Sequence, residues 1–431
     1  MPMDRLALLS LPTLACKRLC RIPSDLDSVS SRGAECSPRD VGLSPAGVDS
    51  IWEAARMLYR TGLHPAVQLC VMHRGQVVLD RAIGHAAGNA PTDPSDARKQ
   101  VVTPDTPFRI YSASKAVTAM VMHLLDERRV LHIDDPVAEY LPEFGHGAKR
   151  HITIAHVLCH RAGIPNLPRG ALDFDLLERP EEIVSLLAAT PLRMRPGRQL
   201  AYHAVTGGFV LGEVVRRATG TDIRTILDRY VRGPLGLRWM GYGVAKEDVG
   251  MLARDAFTGF PIVPPLSQVL TRALGAPVEQ VIALAHDPRF LAGIVPSANV
   301  VATARELARF FECLRCDGEL EGVRVFEPRT VHRATSEQSF WEMDFTLGAP
   351  IRYGLGFMLA AEWLPLFGPQ GRHSFGHYGF TNVIGWADPD RELSAALMTS
   401  GKPLLNIELL RLYQCLAAIN QAIGARGAVA Q

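Results

Sequence analysis

The spacing of apolar positions changes twice along this chain, and the changes mark out three zones. After Ser44-Pro45, apolar residues recur at Val48, Ile51, Ala54, Ala55 and Leu58, one face of a helix capped by Ser44. Ala66–His73 and Val77–Ile83 follow as strand-like runs joined at Arg74-Gly75-Gln76, a hairpin signal. Gly84–Pro107 reads as a polar loop, and Phe108-Arg109-Ile110 leads into a helical stretch, Ser112–Glu127. Residues 129–295 carry mostly helical patterns: Ile154–Cys159, Pro180–Leu187, Thr206–Arg217 and Ile223–Val231, separated by breaks such as Pro196-Gly197 and Gly233-Pro234. From Val300 strands return. A helix at Ala304–Arg315 precedes strand-like Tyr353–Ala360, His373–Gly376, Asn382–Asp388 and Leu393–Thr399, and a helix over Leu404–Ile423 closes the chain.

Strand-rich ends around a helical middle predict an α+β fold. One antiparallel sheet is built from both ends of the chain, flanked by N- and C-terminal helices, with a helical domain inserted. The expected boundaries are a flexible tail over 1–40, a discontinuous sheet domain over 41–111 and 298–425, and a mostly helical domain over 112–297. A ligand cleft is expected between the two domains.

Composition changes this picture little. Of 431 residues, 47% are hydrophobic and 21% charged, which excludes a disordered, collagen-like or coiled-coil chain. A net charge of +2 without a polybasic stripe argues against nucleic-acid binding. The 8 cysteines are scattered and suggest a reducing compartment. Cys313 and Cys316 form a C-x-x-C, read as two small residues on one helix face. Leu6–Cys16 is too short to span a bilayer, and its lack of an A-x-A site and the presence of Asp4 argue against a signal peptide. The expected location is the cytoplasm, with secretion or attachment to the cell envelope as the alternative.

Three short motifs carry candidate chemistry. Ser112-Ala113-Ser114-Lys115 is an S-x-x-K where an extended segment turns into a helix. A serine there lies beside free backbone N–H groups, and a lysine three residues on shares its helix face. A serine hydroxyl is a poor nucleophile until a base takes its proton; a lysine whose ammonium is disfavoured by burial or by a second cation is such a base. The same pattern also occurs as a helix cap followed by a solvated lysine.

Tyr202-His203-Ala204 lies before a Gly-punctuated apolar helix. Near a Lys⁺ the Tyr202 phenol is expected to lose its proton more easily and relay protons; the alternative is a ring that packs and hydrogen-bonds locally. His377-Tyr378-Gly379 lies on or beside a strand, where Gly379 lets a substrate approach the backbone. The N–H groups of Phe380 and Ser112 are the expected oxyanion hole.

The order and context of these motifs resemble the serine β-lactamase / penicillin-binding protein superfamily, whose signature includes S-x-x-K and K-T-G. Asp134–Pro142, Ile154–Pro165, Pro196–Gly220 and Asn299–Phe310 are similar to further segments of that family, so the resemblance runs from Gly42 to Ile423. It implies a β-lactamase/transpeptidase-like fold. Two departures are informative. Ala204 stands where β-lactamases carry Asn, and His377 where they carry the Lys of K-T-G. A His carries less charge at neutral pH than a Lys, so anion recognition is weakened. Both departures resemble the carboxylesterase branch, and no G-x-S-x-G occurs.

The resemblance therefore implies a serine hydrolase that cleaves hydrophobic acyl esters. Ser112 is the nucleophile, Lys115 and Tyr202 share base and acid work, and His377, Tyr378 and Gly379 lie on the substrate side. The expected partner is a small-molecule ester with an apolar acyl group. No metal, organic cofactor, nucleic-acid partner or integral membrane span is implied, and the oligomeric state is not given. The alternatives are a β-lactamase, D-aminopeptidase or peptidoglycan peptidase on the same fold, an acyltransferase, or a non-catalytic binding or filament protein. The apolar, Pro-rich stretch Phe257–Leu270 is read either as a greasy wall of the cleft or as core. His156 and His160 lack the H-E-x-x-H context and are read as structural.

Overall fold

The computed structural model describes residues 18–424 except 167–173, 262, 265–266, 269, 272–275 and 405–406. The apolar run Leu6–Cys16 lies outside the described residues.

The fold is mixed helix and sheet, built around one large antiparallel sheet. Its strands are β1 (Ser30–Arg32), β2 (Ala66–His73), β3 (Gln76–Ala87), β4 (Arg352–Tyr353), β5 (Met358–Leu359), β6 (Phe375–Tyr378), β7 (Ile384–Asp388) and β8 (Leu393–Thr399). They lie in the order β1-β3-β2-β8-β7-β6-β5-β4, and Gln100–Val101 pairs with β3 off this path. The two ends of the chain meet where β2 pairs with β8, with Leu69 opposite Leu397.

Every residue of β2 is buried, because both faces of the sheet are covered. Val67, Leu69 and Val71 point toward helix α1 (Pro45–Arg60) and the C-terminal helix α4 (Glu408–Ala422). Cys70 and Met72 point to the other face, into the core shared with α3 (Ala304–Arg315). Period-two alternation thus feeds two cores from one strand. Helix α1 begins as expected, with the Ser44 side chain accepting from the Gly47 N–H.

Three expectations need correction. The described part of the tail is not a free arm: β1 pairs with β3, and Glu35 takes a two-pronged ion pair from Arg81 at 2.8 and 3.0 Å. An added strand satisfies backbone groups that an open edge would leave unpaired. The expected loop after Ile83 continues as strand to Ala87, because Gln100–Val101 provides a partner beyond Gly84. Tyr353–Ala360 is not one strand but a tight hairpin of β4 and β5. Its turn contains Gly356 at φ +107, where a Cβ would lie 2.0 Å from that of Ala119.

Ala119 belongs to α2 (Ser114–Glu127), whose residues from Ser114 to Leu125 are all buried. A helix apolar on every side belongs inside the molecule. Here α2 lies in one apolar core with the helices Ile154–Leu158, Pro180–Ala189 and Thr206–Thr219 of the middle zone and with α3. A small sheet anchors its start: Phe108–Arg109 and Gly241–Tyr242 both pair with Val300–Ala302. Among the described residues no helix is long and apolar enough to cross a membrane.

Candidate active site

Ser112 sits in a short 3-10 turn, Tyr111–Ala113, between the small sheet and α2. The Ile110 N–H bonds to the Val300 carbonyl at 2.9 Å, and Ser114 Oγ accepts from the Val300 N–H at 3.0 Å. Tyr111 is held at φ +48, a conformation that costs a non-glycine residue energy and that the surrounding contacts must impose. Its hydroxyl donates to Asp255 at 2.6 Å. The turn is thus pinned on both sides of Ser112.

Lys115 lies one helical step on, with Nζ 3.2 Å from Ser112 Oγ. Nζ also reaches the carbonyls of Ala204 at 2.8 Å and Ser297 at 3.2 Å. Among the described residues no carboxylate offsets its burial, so the ammonium is disfavoured and its pKa falls to about 7. Of the two routes to an unprotonated lysine, burial is the one that operates.

Tyr202 lies across from this pair: its hydroxyl interacts with Ser112, and Lys115 Nζ stands 4.7 Å from its ring centroid. The expected fall in its pKa is overturned. Burial raises it, the Ser112 hydrogen bond offsets only part of that, and the Asp344 charge adds to it. The physical reason is that a buried phenolate loses its hydration, and this desolvation outweighs what the neighbouring groups return.

Around these groups stand His160, His203 and His377, all buried. Burial first, and Lys115 next, lower His203 and His377 to about 3, so both rings are neutral. His160 is lowered too, by burial, then His203 and Lys115, and its ring packs 4.6 Å from that of Tyr202. His156 accepts its structural reading by completing a capping box with Thr153.

Strand β6 carries His377 and Tyr378, and Gly379 follows directly after it. His377 Nδ1 bonds to the Tyr378 carbonyl at 2.7 Å, and its ring faces Tyr202 at 6.4 Å. The Tyr378 hydroxyl donates to the Leu366 carbonyl. The close neighbour of Gly379 is the chain before Ser112: a Cβ would lie 2.3 Å from the Ile110 carbonyl oxygen. Phe380 does face the cleft and packs on Tyr111 with ring centroids 5.7 Å apart.

The cleft has a volume of about 140 Å³ and an overwhelmingly apolar lining. Leu177, Ile183, Phe209 and Phe290 wall it, and Ser112 and Phe380 line it as well. None of the described residues of Phe257–Leu270 contributes to it. The apolar wall comes instead from residues 174–186, Thr206–Thr219 and residues 281–298, whose periodicity reads as ordinary core.

Two carboxylates escaped the sequence reading. Asp344 is buried and accepts from the Tyr202 N–H at 3.1 Å and the Tyr353 hydroxyl at 3.1 Å, which fixes the segment carrying Tyr202. Asp255 pairs with Arg109 and, at 3.2 Å, with Lys402. Burial alone would raise its carboxyl, but Arg109 and then Lys402 outweigh that and hold it below the usual range. Neither acid lies in a recognisable motif, so only their buried ion pairs and hydrogen bonds reveal them.

A family model described as Beta-lactamase matches residues 55–414. The esterase/beta-lactamase LipL of Mycobacterium tuberculosis is 31% identical over 309 residues, covering 68% of this chain and 69% of LipL. Among solved structures, EstA from Arthrobacter nitroguajacolicus Rue61a superposes with a TM-score of 0.73 at 26% identity, over 88% of this chain and 97% of EstA. A family VIII carboxylesterase does so with a TM-score of 0.72 at 25% identity, over 87% and 98%.

Proposed function

This chain belongs to the Beta-lactamase family, among its esterase-related serine hydrolases, and from that premise we propose that it hydrolyses carboxylic esters with an apolar acyl group through an acyl-enzyme on Ser112. The observation that carries this reading is Lys115 Nζ, 3.2 Å from Ser112 Oγ, in a cleft walled by aliphatic and aromatic side chains. A lysine with a pKa near 7 is about half neutral at neutral pH, which suits a general base.

In the proposed reaction Lys115 takes the Ser112 proton as Oγ attacks the ester carbonyl. The N–H groups of Ser112 and Phe380 hold the oxyanion, a contribution typically worth about 3 kcal/mol per donor. The raised pKa of Tyr202 keeps its phenol protonated, so it suits donation to the leaving alkoxide rather than removal of the first proton. Water then attacks the acyl-enzyme, its proton passes back through the same groups, and Ser112 is released with the carboxylic acid. The neutral His377 leaves the position of the K-T-G lysine without a cation, which favours an uncharged ester over an anionic β-lactam.

Turnover of a p-nitrophenyl acyl ester compared with a chromogenic cephalosporin tests this reading. The expected result is faster ester turnover, reduced at least about 10³-fold by Ser112→Ala. Cephalosporin turnover without ester turnover overturns the choice of substrate. The second reading, β-lactam hydrolysis, is kept because LipL bears both activities in its name.

A further inference from the structure

A second surface lies beside the site and has no role in the proposed chemistry. Met343–Asp344 and Ala349–Pro350 form a short hairpin. Its alternation is inverted relative to a normal surface hairpin: the carboxylate of Asp344 is buried, while Met343, Phe345 and Leu347 face outward. Phe345 is 61% exposed, and the preceding Phe340 and Trp341 are 65% and 58% exposed. Trp341 stacks on Trp363 with ring centroids 4.2 Å apart, which gives a flat indole pair at the edge of the patch.

Charge accompanies the aromatics. The Phe345 N–H bonds to the Leu200 carbonyl at 2.9 Å, so the hairpin runs beside the loop bearing Arg193, Arg195 and Arg198. All three arginines are exposed, and among the described residues none has a salt bridge. The acids of the apolar segments are neutralised locally: Glu342 by Arg161 at 2.6 Å, Glu337 by Arg352 at 2.8 Å and Glu362 by Arg372 at 3.4 Å. The patch is therefore projecting aromatic and apolar side chains beside net positive charge.

We propose that this face docks onto the surface of an anionic lipid bilayer. Indole and phenyl rings partition into the headgroup boundary, and unpaired arginines are drawn to anionic lipid phosphates. The apolar side chains stand on a hairpin rather than in a groove, which suits a deformable lipid surface better than a single protein ligand. Docking would also place an apolar ester near the site, because the same hairpin holds the Tyr202 segment through Asp344.

Co-sedimentation of the full chain with vesicles tests this and does not depend on hydrolysis, so its failure and the failure of the esterase reading are distinguishable. Vesicles containing phosphatidylglycerol should pull the protein down, and pure phosphatidylcholine should do so much less. Arg193→Ala, Arg195→Ala and Arg198→Ala should each weaken partitioning roughly fivefold at low salt, an effect that high salt removes. Phe340→Ser with Phe345→Ser should weaken it at least roughly tenfold while turnover of a soluble short-chain ester is retained. No sedimentation with either vesicle, or equal binding by the variants, overturns the proposal. So does a dimer in sedimentation velocity that Phe345→Ser dissociates, since the face would then be covered by a second copy.

Discussion

A buried ammonium without a carboxylate to offset it is an unstable charge, and among the described residues Lys115 has none. Its pKa of about 7 makes the pH profile a direct readout: kcat/KM should rise about tenfold per unit below pH 7 and level off above it. Lys115→Arg should abolish this activity, because a guanidinium stays protonated at any working pH. The same shift has a consequence for stability. Between about pH 7 and the ordinary lysine value of 10.5, the unfolded chain holds a proton that the folded one has lost. This group therefore adds stability as pH rises through that window, and its burial penalty is fully present below it. Asp344 acts differently, by position. Asp344→Ala would leave the Tyr202 N–H and Tyr353 hydroxyl without their acceptor and should cost about 3 kcal/mol in denaturant unfolding, with a fall in kcat as Tyr202 shifts. Ser112 and Lys115 were legible as a pair because three residues on a helix is a fixed distance. Asp344 was not, since nothing near it in the chain distinguishes it from a surface acid.

Among the elements, α2 carries the site. Gly356 in the β4–β5 turn lets that hairpin press against Ala119, and at φ +107 no other residue fits there comfortably. Gly356→Val should destabilise the protein by at least about 2 kcal/mol and displace the helix that aligns Lys115, lowering both Tm and kcat. The helices and strands with strong caps or periodicity were legible in detail: Ala66–His73, Leu393–Thr399 and Ala304–Arg315 occur as read. The hairpin within Tyr353–Ala360 was not, because Gly354 and Gly356 in an apolar run are compatible with a strand until a partner helix demands a turn. The apolar cleft was also hidden. Its walls are inward faces of helices whose pattern is the same whether they meet another helix or a substrate. Leu177→Trp should shorten the cleft and lower the kcat/KM ratio of octanoyl to acetyl p-nitrophenyl esters by about tenfold or more.

Over the whole molecule, Asp255 ties distant parts of the chain together. It holds Arg109 of the small sheet, the Tyr111 hydroxyl and, through Lys402, the segment just after β8. Asp255→Ala would strand two buried cations and should cost about 3–5 kcal/mol, seen as a large fall in Tm even where the soluble-ester assay still detects activity. Its contribution is present above the ordinary carboxylate pKa and lost as pH falls through the lowered folded value. Short-range pattern was enough to specify the local units here: the capped helices, the alternating strands, and the serine and lysine one helical turn apart. The sequence also carried enough ordered motifs to identify the family. Packing of distant segments was needed to bring Asp344 to the Tyr202 segment 142 residues away, to set Gly379 against Ile110, and to leave Lys115 partly unprotonated through burial. Periodicity and capping act within a few residues of one another. Solvent exclusion and the closing of a cleft arise only when separate segments pack, and they leave no local trace in the order of residues.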